Sequence, residues 1–542
     1  MKKIPIGVED FKKIIEENYY YVDKTKFIED ILNDGAQVKL FTRPRRFGKT
    51  LNMFMLKYFF DVRDKEKNRE LFNNLYIENS PIFSEQGKYP VIFVSMKGVK
   101  GTSWEEMEKS LRKNLSNLYE EHKYLRENLD ERNKKRFEKI WFEEKDGSYE
   151  GSLNFLSEIL SEYYNEKVFV LIDEYDSPLI NAYEFGFYDR AVVFFKELYG
   201  DVLKTNVNLK MGILTGIVRV AQAGIFSDLN NLMVHTVLNN DEYSKYFGIL
   251  ECEVEQALRN YNIEYKIEDV KFWYNGYKFG NTNVYNPWSI LNYIYYKELK
   301  AYWVNTSSNV VIKEMLKNSD SRVFKTLENL FAKKNVPVTI SDNIALGKHL
   351  SSSEIWELLL FSGYLTIKEK VDEDEYIVRI PNQEILSFFK KTFLTILFGE
   401  LQTVKDIKYA LFNKDMRELK RIIESLVLNA VSFYDTDERY ENNYQMLLSG
   451  FFYALEGIYF VYPNMESGDG RPDLILEPID KTRPAYIFEL KKLKTNDIEK
   501  ETEKALNQIE ENRYDSVLTR KGFKDITKIG MVFDKKRVEF KI

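Results

Sequence analysis

Four short apolar runs, spaced by stretches of helical periodicity, constrain the first half of the chain more than any other feature. Val38-Lys39-Leu40-Phe41, Val91-Ile92-Phe93-Val94, Val168-Phe169-Val170-Leu171-Ile172 and Leu209-Lys210-Met211-Gly212-Ile213-Leu214 each have the length of a buried strand. Strands that alternate with helices point to a parallel α/β sheet with helices on both faces. Ligands of such sheets sit beyond the carboxyl ends of the strands. Three of these ends run into polar motifs, at Thr42, Asp173 and Thr215.

The first of these ends reads Thr42-Arg43-Pro44-Arg45-Arg46-Phe47-Gly48-Lys49-Thr50 and is followed by a helical apolar pattern, Leu51, Met55, Leu56, Phe59 and Phe60. A triphosphate needs clustered backbone N–H groups at a helix N-terminus, a lysine and a hydroxyl. Gly48, Lys49 and Thr50 supply them, with Lys49 directed to the β and γ phosphates and Thr50 to magnesium. The glycine usual five residues before Gly48 is replaced by Arg43, and Arg43, Arg45 and Arg46 crowd the loop with positive charge, toward the nucleotide or toward an acidic partner. The second end, Asp173-Glu174, provides an acid to orient magnesium and an acid to activate water. At the third end Thr215 is expected near the γ phosphate. Arg219, read as one helical turn further on, is expected either to neutralise charge developing there or to lie on the surface.

Composition narrows the chemistry. The chain has 542 residues, one cysteine (Cys252) and three histidines far apart, so a disulfide framework, a cysteine zinc site and histidine-cluster metal chemistry are not expected. A metal would have to be held by carboxylates, which favours magnesium or manganese. The net charge of −6 gives no global attraction to nucleic acid and leaves room for a local basic groove. No stretch of about 20 apolar residues occurs, the N-terminus lacks the features of a secretory signal, and a cytoplasmic protein without membrane association is expected. At about 150 residues per domain, three or four domains fit the length.

Beyond the sheet, residues 104–145 read as a charged helical pair. Residues 236–300 turn aromatic, with Trp273-Tyr274-Asn275-Gly276-Tyr277 and Tyr285-Asn286-Pro287-Trp288-Ser289. These rings could stack nucleic-acid bases, but the reading preferred is the packed core of a lid. Residues 300–400 mix helices with short strands, and 405–440 are helical. Near the C-terminus, Leu474-Ile475-Leu476 and Ala485-Tyr486-Ile487-Phe488 flank the turn-rich EPIDKTRP and predict an antiparallel hairpin. Asp473 opens its first strand, and Glu489 and Lys491 end its second on one face. Asp473 and Glu489 can then meet across the hairpin and bind divalent metal, with Lys491 beside them to orient water or stabilise the reacting phosphate. Glu441 on a preceding helix is a further metal ligand, and Gln508 on a following helix completes the set.

These pieces together resemble a bacterial family that joins an AAA-ATPase-like domain to a C-terminal PD-(D/E)XK nuclease-superfamily domain. The resemblance covers nearly the whole chain, through IGVEDFKKII, YYVDKTKFIEDIL, FTRPRRFGKTLNMFML, VLIDEYDSPL, LTGIVRVAQAGIFSDLNNL, FWYNGYKFGNTNVYNPWSILNYI, SGDGRPDLILEP and FELKKL. It implies a P-loop NTPase sheet of the AAA/STAND kind over 1–235, a helical and winged-helix middle region over 236–400, and an α/β restriction-endonuclease-like domain over 401–542. The RPRRFGKT form of the loop is usual in that family. Taken with the residues, it implies ATP and magnesium, with manganese an alternative, at Arg46, Gly48, Lys49, Thr50, Asp173, Thr215 and Arg219. Glu174 is the base for hydrolysis, and Asp473, Glu489 and Lys491 match the nuclease signature. The expected function is an ATP-regulated, metal-dependent nuclease acting on nucleic acid, DNA before RNA, with a homo-oligomer left open. The alternatives are a STAND-like switch ATPase whose C-terminal domain binds nucleic acid without cutting, and a protein-remodelling ATPase.

Overall fold

The computed structural model describes residues 1–220, 230–239, 242–303, 323, 326–327, 329–330, 335–341, 352–389, 402–431, 448, 452, 455, 458–493, 497–534 and 537–542. The chain divides into two compact units, one of residues 1–311 with 335–385, the other of residues 312–334 with 386–542.

The first unit is built on a five-stranded sheet in the order β2-β3-β4-β1-β5, where β1 is Val38–Thr42, β2 Val91–Ser95, β3 Val168–Asp173, β4 Leu209–Gly216 and β5 Leu232–His235. Every pairing in it is parallel. Every residue of β1 and β3 is buried; β3 accordingly reads as continuously apolar from Val168 to Ile172, while β1 also buries Lys39, whose Nζ donates to the Ala36 carbonyl. The four predicted strands are present. The edge strand β5 is not among the predicted runs, because its apolar stretch Leu232-Met233-Val234 is only three residues long and is half-exposed or exposed. The loop after β1 opens the helix Lys49–Phe60, with Gly48 at its N-cap in a left-handed conformation (φ 84°). The predicted helical pair is also present, as Trp104–Glu121 and Glu131–Trp141, locked by Tyr119 against Phe137 with ring centroids 4.8 Å apart.

The aromatic segment belongs to this unit. Helix Ile267–Tyr274 ends at Asn275-Gly276, and a short hairpin follows, β6 (Tyr277–Phe279) and β7 (Thr282–Val284). A Cβ at Gly276, where φ is 109°, would lie 2.0 Å from the Pro381 carbonyl oxygen, so only glycine fits the turn. Tyr274, Tyr285, Ile290 and Tyr293 are buried in one cluster with Val254 and Leu258, as a lid core would be. The antiparallel sheet β8-β10-β9 (Val336–Thr339, Glu375–Arg379, Thr366–Lys370) and the helix Ser352–Phe361 complete the described part of the middle region.

The second unit carries a mixed sheet ordered β11-β12-β13-β14-β15, with β11 Tyr459–Pro463, β12 Leu474–Pro478, β13 Ala485–Lys492, β14 Ile526–Asp534 and β15 Arg537–Lys541. β12 and β13 form the predicted antiparallel hairpin, while β13 and β14 run parallel and are joined through the helix Ile498–Glu511. That helix lies unusually close to β14. A Cβ on Gly530 would meet the backbone N of Leu506 at 2.5 Å and the Thr502 carbonyl oxygen at 2.6 Å. The helices Gln402–Asn413 and Met416–Val431 occupy the described part of the stretch 405–440 expected to be helical.

Candidate nucleotide and metal sites

Parallel pairing sets β3, β4 and β1 side by side, so the three polar strand ends converge. Lys49, the first residue of its helix, is buried, and its Nζ donates to the carbonyls of Arg43 (2.8 Å) and Pro44 (2.9 Å). Thr50 Oγ1 donates to Asp173 Oδ2 at 2.9 Å. Thr215 Oγ1 donates to Asp173 Oδ1 at 2.5 Å and accepts from the backbone N of Glu174 at 3.4 Å. One carboxylate thus ties the loop helix to β4. Glu174 follows in a left-handed conformation (φ 51°), a strained geometry for a residue with a side chain, and it is only half-buried.

Burial and neighbouring charge oppose each other at this end. Burial pushes the Glu174 carboxyl above its ordinary range, opposed by the nearby Lys49 charge. Burial likewise pulls the Lys49 ammonium down, and Glu174, Asp176 and Asp173 resist that shift. Asp176 is buried and accepts from the backbone N of Ile217 (2.7 Å) and Val218 (2.9 Å). It pins the segment that follows β4. That segment is not helical, so Arg219 does not follow Thr215 by a helical turn as expected; it is half-buried on an irregular stretch whose backbone is held by Asp176 and by the Tyr175 hydroxyl.

Two arginines of the loop also have defined places. Arg43 is fully buried. Its Nη1 donates to the carbonyls of Thr42 (2.9 Å) and His235 (2.7 Å), and its guanidinium lies 5.3 Å from the ring centroids of both Phe247 and Phe279. It therefore holds the end of β1 to the end of β5 and is closed off from solvent. Arg46 has φ 64° and stacks its guanidinium 3.6 Å from the centre of the Trp288 ring.

In the second unit, register brings the acids level. Leu474 pairs with Phe488, so Asp473 stands one step on, opposite Glu489. Asp473 Oδ2 accepts from the backbone N of Leu490 at 2.7 Å. Glu489 is buried. Gln508, from the helix Ile498–Glu511, donates its Nε2 to Glu489 Oε1 and accepts from Lys491 Nζ at 2.5 Å through its own Oε1. Its amide therefore couples the acid to the lysine, which lies 3.8 Å from Glu489 Oε1. Tyr514 Oη receives Gln508 Nε2 at 3.3 Å and Asn512 Nδ2 at 3.2 Å. Beside this cluster lies a cavity of about 420 Å³ lined by Lys491, Lys492, Lys504, Asn507, Gln508 and two glutamates. Glu441 lies outside the described residues.

The donors present fit hard divalent ions. Thr50 and Asp173 offer two oxygens within hydrogen-bonding distance in the first unit, and Asp473 and Glu489 offer two carboxylates in the second. Among the described residues no group of three or more His, Cys, Asp or Glu side chains could hold a metal ion. An ion at either place would keep water in its other positions, as magnesium does. The contacts of Arg43 with His235, and of Arg46 with Trp288, had no signal in local spacing, because their partners come from residues nearly 200 or more positions away.

Residues 5–226 match the model of a family described as "Predicted AAA-ATPase", and residues 439–541 match that of the PD-(D/E)XK nuclease superfamily. An uncharacterised protein from the vnfD 5' region of Azotobacter chroococcum mcd 1 is 26% identical over 402 residues, which are 72% of this chain and 70% of the relative. Among the described residues no helix is long and apolar enough to cross a membrane.

Proposed function

We propose that this chain, an AAA-ATPase-like domain joined to a PD-(D/E)XK nuclease-superfamily domain, is an ATP-regulated, divalent-metal-dependent nuclease acting on DNA. The observation that carries the reading is the Glu489–Gln508–Lys491 cluster facing Asp473 beside a cavity lined by three lysines. An acid pair, a cation beside it and further lysines within reach of a phosphate backbone are what phosphodiester cleavage needs without histidine or cysteine. Bound metal would supply Lewis acidity and activated water there. The chain's own residues do the rest. Asp473 and Glu489 hold the ion, Lys491 offsets charge developing on the phosphate, and Gln508 fixes the lysine's position.

In the first unit the proposal places ATP on Gly48, Lys49 and Thr50, with Arg46 and Arg219 as further contacts. Magnesium is assigned to Thr50 and Asp173, Thr215 orients Asp173, and Glu174 is the base for hydrolysis. The division at 1–235, 236–400 and 401–542, action in the cytoplasm and Glu441 as an additional ligand belong to the same proposal. The test is incubation of full-length protein with single- and double-stranded DNA and RNA, with magnesium or manganese, with and without ATP. Cleavage that Asp473→Ala and Glu489→Ala each abolish, while a labelled ATP analogue still binds, supports it. Cleavage unaffected by both substitutions refutes it. A switch ATPase that binds nucleic acid without cutting is the second reading, which the lysines beside the acid pair would serve equally. It takes over if binding persists with no cleavage under any of these conditions.

A further inference from the structure

The loop that carries Gly48 is gripped along its length by the aromatic middle region of the same unit. Pro44 packs where Gly363 (φ 85°) leaves room; a Cβ there would come 2.9 Å from Pro44 Cβ. The carbonyl of Arg45 accepts from Trp303 Nε1 at 3.2 Å. Arg46 stacks on Trp288. Phe47 is fully buried against Tyr277 and Phe279, with centroids 5.0 and 5.2 Å away. Four consecutive loop residues thus owe their positions to side chains or backbone from 277–363.

The two tryptophans share one anchor. Glu384 is completely buried. Its Oε1 accepts from the backbone N of Tyr302 (2.5 Å) and of Trp303 (2.8 Å), and its Oε2 accepts from Ser289 Oγ (2.8 Å), one residue after Trp288. Trp288 Nε1 closes the network by donating to the Tyr302 carbonyl at 3.3 Å. A buried carboxylate with three converging donors is a rigid fixture, because loss of its charge leaves those donors poorly matched. Neither unusual residue spacing nor any phosphate contact marks it.

We propose that Glu384 is a positioning residue for the nucleotide site, acting through Trp288 and Trp303 on the backbone and side chains of Arg45 and Arg46. This rests on the reading that the loop binds ATP. Displacement of loop amides by fractions of an ångström is enough to degrade phosphate binding, since those N–H groups must converge on the anion. The middle region is then part of the nucleotide site, and its packing sets the affinity.

The experiment measures binding of a fluorescent ATP analogue with magnesium to full-length protein, alongside intrinsic tryptophan emission. Glu384→Gln should bind about tenfold more weakly and Trp303→Phe several-fold more weakly. Glu357→Gln, which alters a comparably buried acid bonded to the Ser341 backbone N at 2.8 Å and touching none of the loop, should stay within twofold. Nucleotide should change the tryptophan emission of the wild type. Trp303→Phe should remove most of that change, and Trp104→Phe, which packs on Phe194, should keep it. Wild-type binding with unchanged affinity in both Glu384→Gln and Trp303→Phe overturns the positioning role and leaves the ATP reading standing. Absence of binding in the wild type overturns the ATP reading and this role with it. Should Glu384→Gln fail to fold, Trp303→Phe decides alone, because it deletes the indole N–H that bonds the Arg45 carbonyl and keeps an aromatic ring beside Tyr364.

Discussion

Gly530→Ala isolates what the close approach of helix Ile498–Glu511 does for the nuclease-like site. Gly530 pairs with Glu489 across β13 and β14. The added methyl would stand 2.5 Å from Leu506 N and 2.6 Å from the Thr502 carbonyl oxygen, both backbone atoms. No rotamer can relieve that, so the helix must retreat by about 1 Å to reach ordinary contact. Overpacking of this kind costs about 1–3 kcal/mol, which lowers the melting temperature of a unit this size by several degrees. Gln508 moves with the helix, and its 2.5 Å bond to Lys491 stretches beyond hydrogen-bonding length. Misplacement by 1 Å costs about 100-fold in rate where geometry governs the reaction. The assay pairs thermal unfolding with metal-dependent cleavage. Gly522→Ala serves as control, because Gly522 has φ 89° with no atom within 4 Å of the added Cβ, so the change adds backbone strain without moving the helix. If Gly530→Ala melts like wild type, the close packing is refuted. If it melts low but cuts as well as Gly522→Ala, the helix position does not set the site.

Glu174→Gln should retain binding of an ATP analogue and lose most turnover, since shape is kept and the base removed; equal turnover would shift the role to Asp176. Thr215→Val removes the 2.5 Å hydrogen bond to Asp173 and should cost about 1–3 kcal/mol of stability together with most magnesium-dependent hydrolysis, read by melting and phosphate release. Burial pushes Glu357 from an ordinary 4.5 up to about 7. As a carboxylate with a raised folded value it costs nothing below pH 4.5, where both states are protonated, and its penalty grows between 4.5 and 7 to a plateau of up to about 3 kcal/mol. Glu357→Gln should therefore melt above wild type at pH 8 and match it near pH 4.5; an equal gain at both would contradict the assignment.

Local chemistry was readable in the sequence where it obeys short-range rules. Buried parallel strands announce themselves as apolar runs, and Gly48-Lys49-Thr50 announces a loop at a helix start. Period-two alternation puts Glu489 and Lys491 on one face, and the hairpin around EPIDKTRP brings Asp473 across to Glu489. What spacing could not show is long-range. β5 is an edge strand whose apolar run, Leu232-Met233-Val234, is too short to stand out. The segment after Thr215 looks helical in composition but is held irregular by hydrogen bonds from Tyr175 and Asp176. Arg43 resembles a phosphate contact until its partners, His235, Phe247 and Phe279, are known. Glu384 is one glutamate among many until three donors converge on it.

The burial of Arg43 has a consequence for how the chain acquires its shape. The guanidinium is covered by rings at 247 and 279 and bonded to a carbonyl at 235, so the first residue of the phosphate loop depends on chain made some 190 to 240 residues later. During synthesis the loop must wait, with an uncovered cation at the end of β1, until that length has emerged. Contacts this distant in sequence slow folding because loop closure comes before any reward, and they expose apolar strand edges meanwhile. A fragment ending near 235 would contain every motif of the nucleotide site and still lack the aromatic cover that seats it.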